Sequence, residues 1–526
     1  MDFDYDYLIV GSGFGGSVSA LRLAEKGWRV GVVEQGRRVG QDEIRRGKNS
    51  LHRLLWNPGL GMKGYFAQRV FRHLMVVGGV GVGGGSLVWG AVMLEPKQDF
   101  YRDPRLQSLG VDWEGELGPC FERAREMLGV GLNPRHTAQD DYLQQTAKGL
   151  GVPNSFGPVP NAIYFGRPDE AEGDSGEEGN GQNREACTFC GGCLTGCEIG
   201  AKNSLDFNYL YQAEKLGVAV LPERKADRIE SLQQGGYRVH LVSPGLGRKI
   251  QAVTARKVVV ASGVLGTLEL LFRNRDAYKT LANVSSTLGE VVRTNSEAIT
   301  AVLHPAGEDM TDGTAISSDF HPDAHTHVTQ NRFDRGYRFM RYLMGPMVDE
   351  VRPIRRALKT LVSILGSPLL MARNLFMRDW EKRITVFTVM QDHDNSVRLS
   401  YRRRWWSLFR RRLVSQSNPG HELPSYMPIA NRSTREYARV SGGTPMSTLT
   451  ESMAGMCTTA HILSGCPMGS SADHSVISTE HEVHGHPGLF VVDGASIPAN
   501  IGVNPSLTIS AMAERFAASQ PGPIDA

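Results

Sequence analysis

The sequence predicts an α/β chain built on a buried parallel sheet, and three stretches carry that prediction. They are YLIVGSGFGG at residues 7–16, KVVVASGVLGTLELL at 257–271 and GLFVVDGASIPANIGVNPSLTISAMAERFA at 488–517. Each starts as a short apolar run suited to a strand covered on both faces, passes through a glycine turn and continues with helical apolar spacing. At 526 residues the chain exceeds one simple core, so two closely joined domains are expected.

The first stretch is the most detailed. Gly11, Gly13 and Gly16 form G-x-G-x-x-G, with Phe14 and Gly15 inside the loop; SVSALRLAEKG then reads as a helix and WRVGVVE as a strand ending at Glu34. Gly11 makes the tight turn, Gly13 admits a pyrophosphate to the backbone, and Gly16 lets helix and strand pack closely. The helix start offers free N–H groups and a dipole to phosphates, and Glu34 stands where an acid accepts from an adenosine ribose. This is a Rossmann-type dinucleotide unit, and by itself it leaves FAD and NAD open. The next segment, GGVGVGGGSLVWGA at 78–91, has seven glycines in fourteen positions. Such a backbone wraps a large flat ligand rather than filling a core, with Gly79, Gly83, Gly84, Ser86 and Gly90 as the contacts. Near the carboxyl end, Asp493 and Gly494 make a turn after a strand. Pro505 and Ser506 open a helix whose amino end faces the same ligand.

Composition is that of a soluble globular protein, 40% hydrophobic and 21% charged, and the net charge of +3 is too small to argue for nucleic acid. Sixty glycines exceed the usual share of about 7%. The opening MDFDYDYLIVG is acidic before it is apolar, the reverse of a secretory leader. No run reaches about 18 uncharged apolar residues. A cytoplasmic, reducing setting is expected.

Taken together, these segments and AHILSGCPMG at 460–469 resemble the glucose–methanol–choline (GMC) family of FAD-dependent oxidoreductases, in its bacterial cholesterol-oxidase-like branch. The resemblance runs over nearly the whole chain. It implies a Rossmann-type FAD domain assembled from separate segments, non-covalent FAD, and a substrate domain with a mixed sheet. It also implies that His461 in H-x-x-x-G-C and Asn504 in G-V-N-P face the substrate hydroxyl and the flavin, and that Asp493 contacts FAD. An imidazole suits the base that takes the hydroxyl proton, and an amide orients without changing charge. The implied segments are 1–110, 216–295 and 456–526 for FAD, with 111–215 and 296–455 forming the cap and substrate domain. Cholesterol oxidases of this kind carry a cavity Glu that also permits double-bond isomerisation. HTHVTQNRFDRG at 325–336 offers Thr329 and Gln330 instead, with Asp334 read as a solvated turn beside Arg332 and Arg335. His474, His481, His484 and His486 read as surface loop residues.

Two further stretches stand out. PIRRALKTLVSILGSPLLMARNLFMRDW at 353–380 has helical spacing broken at Gly366-Ser367-Pro368, and YRRRWWSLFRRR at 401–412 sets arginines around Trp405, Trp406 and Phe409. Both suit peripheral contact with an anionic membrane, or alternatively a lid and a solvated hairpin tip. Residues 168–186 are acidic and glycine-rich and read as a surface loop. CTFCGGCLTGC places Cys187, Cys190, Cys193 and Cys197 at ferredoxin-like spacing, though with Glu198 where proline commonly follows. A 4Fe–4S or 3Fe–4S cluster, zinc, or a packing role all remain open for it. A second resemblance, to sugar dehydrogenases of the same superfamily with a cluster ahead of C-x-I-G-A, rests on CEIGA at 197–201 and would favour an external electron acceptor over dioxygen. The expected activity is oxidation of a secondary alcohol on a sterol or other bulky lipophilic molecule. The alternatives are a cluster-bearing alcohol or sugar dehydrogenase and a flavin-fold binding protein without chemistry.

Overall fold

The computed structural model describes residues 2–166, 175–176, 184–245, 247–403 and 411–523. Trp405, Trp406 and Phe409, with most of the acidic loop, lie outside the described residues. Strand β1 (Tyr5–Val10), helix α1 (Phe14–Glu25) and strand β2 (Val30–Val33) form the amino-terminal unit. β1 pairs in parallel with β2 on one side and with Lys249–Val260 on the other. Leu489–Val491 joins the far side of Lys249–Val260, also in parallel. The register sets Val33, Val10, Val260 and Val491 in one row across the sheet. Four strands therefore end at the same level, and the loops that follow converge on the crevice where α/β sheets bind ligands.

That convergence needs bare backbone. Gly11 lies at φ +107°, and a Cβ on Gly15 would stand 1.8 Å from the Val492 carbonyl oxygen. A Cβ on Gly16 would stand 2.0 Å from the Gly11 carbonyl oxygen. Any side chain at these two positions would force the helix off the sheet.

A second sheet runs Met344–Pro346, Thr444–Thr448, Ala298–Leu303, Ile384–Gln391, Thr326–Asn331, Ser318–Phe320, Gly157–Pro158. Each of its pairings is antiparallel; the mixed pairing expected of it falls instead in the first sheet, where Tyr237–Val242 runs against Lys249–Val260. Ile299 sits opposite Thr388, and Thr388 opposite Thr329, which gives one face of this sheet a continuous row.

Helices α2 (Pro353–Gly366) and α3 (Pro368–Phe376) lie at the edge of the second sheet. α2 is pinned by Arg356, 1% exposed, whose guanidinium donates to the carbonyl oxygens of Glu350, Val351 and Glu451. No helix among the described residues is long and apolar enough to cross a membrane.

Glu451 is fully buried, and desolvation raises its carboxyl to about 8. The folded protein keeps this proton at pH values where the unfolded chain, with an ordinary glutamic acid carboxyl near 4.5, has released it, so the group makes stability fall as pH rises from about 4.5 to about 8. Urea unfolding midpoints across that window should show a shallower decline in Glu451→Gln than in the parent.

Candidate active site

The loops at the strand ends and one face of the second sheet enclose a cavity of about 500 Å3. From the first sheet's side it is lined by Gly11, Gly13, Phe14, Gly15 and Glu34. The glycine segment contributes Gly79, Gly84 and Gly90, and the carboxyl-terminal segment contributes Asp493, Gly494, Asn504, Pro505 and Ser506. His461 completes this group. Three predicted residues stand behind the wall. Gly16 packs on Gly11, Gly83 supplies a turn at φ +103°, and Ser86 Oγ donates to the Gly83 carbonyl oxygen at 2.7 Å while accepting from Leu205 N–H at 3.0 Å.

The residues present fit FAD. α1 begins at Gly13 with no side-chain cap, and nothing lies within 4 Å of a Cβ there, so its first N–H groups face open space. Gly84 approaches so closely that its Cβ would stand 2.7 Å from the Gly13 Cα, which narrows the cavity to a slot between two backbones. Buried Glu34 accepts at Oε2 from Ser12 N–H and Oγ–H, at 3.1 and 2.8 Å, and at Oε1 from Gly36 N–H at 2.8 Å. Oε1 keeps acceptor capacity for a ribose hydroxyl. Asp493 accepts from Thr267 Oγ1–H at 2.5 Å and Ala495 N–H at 2.8 Å, and burial raises its carboxyl to about 6. Trp89 and Asn504 line the cavity, and each carries a buried polar atom without a protein partner, Nε1 and Oδ1.

Deepest in the cavity, His461 and Asn504 meet. Asn504 Nδ2 lies 3.3 Å from His461 Nε2, and His461 Nδ1 lies 2.5 Å from Glu297 Oε1. Glu297, 1% exposed, also accepts from Thr459 Oγ1–H at 3.0 Å and at Oε2 from Ala460 N–H at 2.9 Å. A carboxylate held by these donors can only accept from the imidazole. Nδ1 therefore carries the hydrogen, and Nε2 turns its lone pair to the cavity. Glu297 escaped the sequence reading. It stands 164 positions before His461, and its one signal is a carboxylate entering an otherwise apolar strand, SEAITAVL.

The substrate half of the cavity is framed by Ile299, Ile316, Phe333, Tyr337, Met340 and Val386, with Thr329, Asn331 and Thr388 as its polar points. Of the two residues that stand in place of a Glu, Thr329 lines the cavity. Gln330 alternates to the other face and donates to Asp140 Oδ1 at 2.6 Å.

Several expectations give way. Asp334 is 1% exposed, accepts from Thr195 Oγ1–H at 2.9 Å and pairs with Lys48, so it is a buried anchor and not a solvated turn. Arg332 is likewise buried beside Asp140. His481 and His486 are buried rather than on the surface; His481 Nδ1 bonds to the Val491 carbonyl oxygen at 2.9 Å, and desolvation lowers its imidazole to about 4.

The four cysteines do not form the metal or cluster site that their spacing suggests. Cys187 and Cys193 are buried in the main hydrophobic core, Cys190 is exposed, and no three of the four sulfurs come within 4.8 Å of one another, as zinc would require. Cys187 Sγ accepts from Phe189 N–H at 3.4 Å and Cys197 Sγ from Lys202 N–H at 3.5 Å. Burial raises the Cys193 thiol to about 12, so it stays protonated. What the loop does is mechanical. The buried Lys202 ammonium donates to the carbonyl oxygens of Cys193, Leu87 and Trp89, at 2.7, 3.0 and 3.3 Å, which ties the cysteine turn to the glycine segment. Leu194 and Thr195 are thereby held against the cavity.

Comparison with known proteins agrees with this geometry. Family models for GMC oxidoreductase match residues 176–274 and 351–513, and one for an NAD(P)-binding Rossmann-like domain matches residues 9–50. A cholesterol oxidase of Mycobacterium tuberculosis is 39% identical over 98% of this chain and 91% of its own length. One from Acinetobacter baumannii is 37% identical over 98% and 94%. The crystal structure of pyridoxine 4-oxidase from Mesorbium loti shares the fold, with a TM-score of 0.57 at 16% identity over 98% of this chain and 99% of that one. The chain belongs to the GMC oxidoreductase family, FAD-dependent enzymes acting on CH–OH groups, and to its cholesterol-oxidase-like branch.

Proposed function

We propose that this oxidoreductase converts the secondary hydroxyl of a sterol, or of a similarly bulky lipophilic alcohol, to a ketone, passes the electrons to dioxygen, and works at a lipid surface. The observation that carries the reading is the meeting of His461 Nε2 and Asn504 at the end of a cavity framed by Ile299, Ile316, Phe333, Tyr337, Met340 and Val386. An apolar chamber of this kind favours a rigid hydrocarbon over a sugar, whose hydroxyls would be left unpaired. Dioxygen as acceptor is supported by the relatives, which are oxidases.

In this reading His461 Nε2 takes the hydroxyl proton as the carbinol carbon gives up its hydride. FAD, when bound, supplies the acceptor for that hydride. Asn504, whose Nδ2 meets His461 Nε2, orients the hydroxyl. Glu297 fixes the imidazole tautomer and stabilises the cation that forms when His461 holds the proton.

Three outcomes test this. A sterol mixed anaerobically with the holoenzyme should bleach the flavin's visible absorption, which dioxygen then restores; an unchanged spectrum would exclude sterols. Glu297→Gln should lower kcat by about 10- to 1000-fold while leaving KM within about threefold, because the tautomer and not the cavity is disturbed. The apolar chamber presents Thr329, Asn331 and Thr388 but no unengaged carboxylate to ferry a proton between carbons. A 5-ene-3β-hydroxysteroid should therefore yield the unconjugated ketone, seen by chromatography as a product without enone absorption.

A further inference from the structure

Helices α2 and α3 are built inside out. On α2 the buried positions are polar, Arg356 at 1% and Thr360 at 0% exposure, one turn apart. Its exposed positions are Ile354, Leu358, Leu361, Val362 and Leu365, between 45% and 79% open to solvent. Their spacing of four, three, one and three residues makes one continuous stripe along the helix. α3 repeats the inversion, with Asn374 fully buried and Leu369 and Phe376 at 84% and 80% exposure. A helix in a water-soluble protein turns its apolar stripe to the core. Here the core side is held by hydrogen bonds, from Arg356 to backbone carbonyls and from Asn374 Nδ2 to the Arg341 carbonyl oxygen at 2.8 Å, and the apolar side is left over.

Charge selects what covers it. Residues 351–378 contain six Arg or Lys and no Asp or Glu, with Asp349, Glu350 and Asp379 just outside; Arg356 is buried and Lys359 pairs with Glu350 at 2.8 Å, which leaves Arg352, Arg355, Arg373 and Arg378 as the exposed cations free of an acidic partner. The exposed cations sit beside the leucines, where their stems can lie along an apolar surface and their heads remain at its rim. A second copy of the same face would meet like charge with like, whereas an anionic lipid surface offers hydrocarbon and negative headgroups together. Tyr342, 55% exposed, adjoins as an amphipathic ring of the sort enriched at lipid–water boundaries.

The position suits the task. The turn Phe339–Leu343 packs on α3 through the Asn374 bond and through Arg341, which donates to the Met377 carbonyl oxygen at 3.2 Å. Met340 of the same turn lines the cavity. We propose that α2 and α3 are the surface by which the protein docks onto an anionic lipid bilayer, with the exposed apolar stripe in the interface and the cavity wall around Met340 held next to the membrane. The proposal rests on the lipophilic-alcohol reading for its purpose but not for its test.

The test uses holoenzyme and sterol-free vesicles, of pure phosphatidylcholine or of phosphatidylcholine with phosphatidylglycerol, followed by co-sedimentation. The parent should partition onto the anionic vesicles, and less onto neutral ones or at high salt. The triple variant Leu358→Glu, Val362→Glu, Leu365→Glu, all at exposed positions, should lose at least about tenfold in partitioning. It should keep the parent's thermal midpoint and its turnover of a detergent-dispersed substrate, while turnover of vesicle-borne substrate falls. Failure of the parent to sediment with anionic vesicles would overturn the proposal. So would light scattering that shows a dimer in the parent and a monomer in the triple variant, because the stripe would then be covered by a second copy. Sterol turnover by a parent that ignores vesicles would sink the docking surface alone; vesicle binding without sterol turnover would sink the substrate reading alone.

Discussion

The closeness of α1 to the turn after Leu489–Val491 governs the remainder of the structure. With 1.8 Å between a virtual Gly15 Cβ and the Val492 carbonyl oxygen, the two backbones touch where any other residue would hold them apart. That contact brings the helix start, with its unpaired N–H groups, to the same level as Glu34, Asp493 and the glycine segment. It also brings the helix Ser506–Ser519 alongside α1, so Asn504 reaches the cavity from one side as His461 reaches it from another. If these backbones were spread, the cradle and the His461–Asn504 pair would lose their alignment together.

The corner around His461 depends on a different economy, in which Glu297 is fully engaged and His461 is held at both ring nitrogens. Glu297 is saturated by Thr459, Ala460 and His461, so its charge is fixed in place and its geometry is not negotiable. At the cavity wall stands His461 Nε2, met by Asn504 Nδ2 at 3.3 Å, while Asn504 Oδ1 has no protein partner. Buried networks of this kind are costly when incomplete and specific when complete. Here incompleteness is confined to the point where a substrate and a cofactor would bind.

How much of this was legible in the sequence follows from what each feature is made of. The glycine loops could be read directly, because a backbone that must approach another backbone leaves glycine as its residue, and spacing alone encodes the turn. Helix α1, the strand ends and the helix Ser506–Ser519 were legible for the same reason, as local apolar period and punctuation. Glu297 was not, since nothing in NSEAIT tells that the chain will bring a histidine from 164 residues away to its carboxylate. Asp334, His481 and His486 were misjudged alike: polar residues in glycine-rich turns look solvated until tertiary packing buries them. The cysteine run shows the opposite failure, in which a spacing strong enough to suggest a cluster turns out to serve a packed turn fastened by Lys202. Residues 353–376 displayed their apolar period plainly, but periodicity gives the width of a stripe and not which way it faces.

The sheet that holds the cradle takes its first strands from residues 5–33 and its last from residues 489–491. During synthesis the amino-terminal unit emerges first, with one edge of Lys249–Val260 still lacking its neighbour, and it waits while the whole cap is made. Contacts of such long sequence separation are slow to form and leave a strand edge exposed in the meantime. The nascent chain must therefore be kept from pairing elsewhere until Leu489–Val491 has been translated. Assembly of the dinucleotide site is in this sense conditional: the cradle cannot close until Leu489–Val491 has been made and has taken its place beside Lys249–Val260.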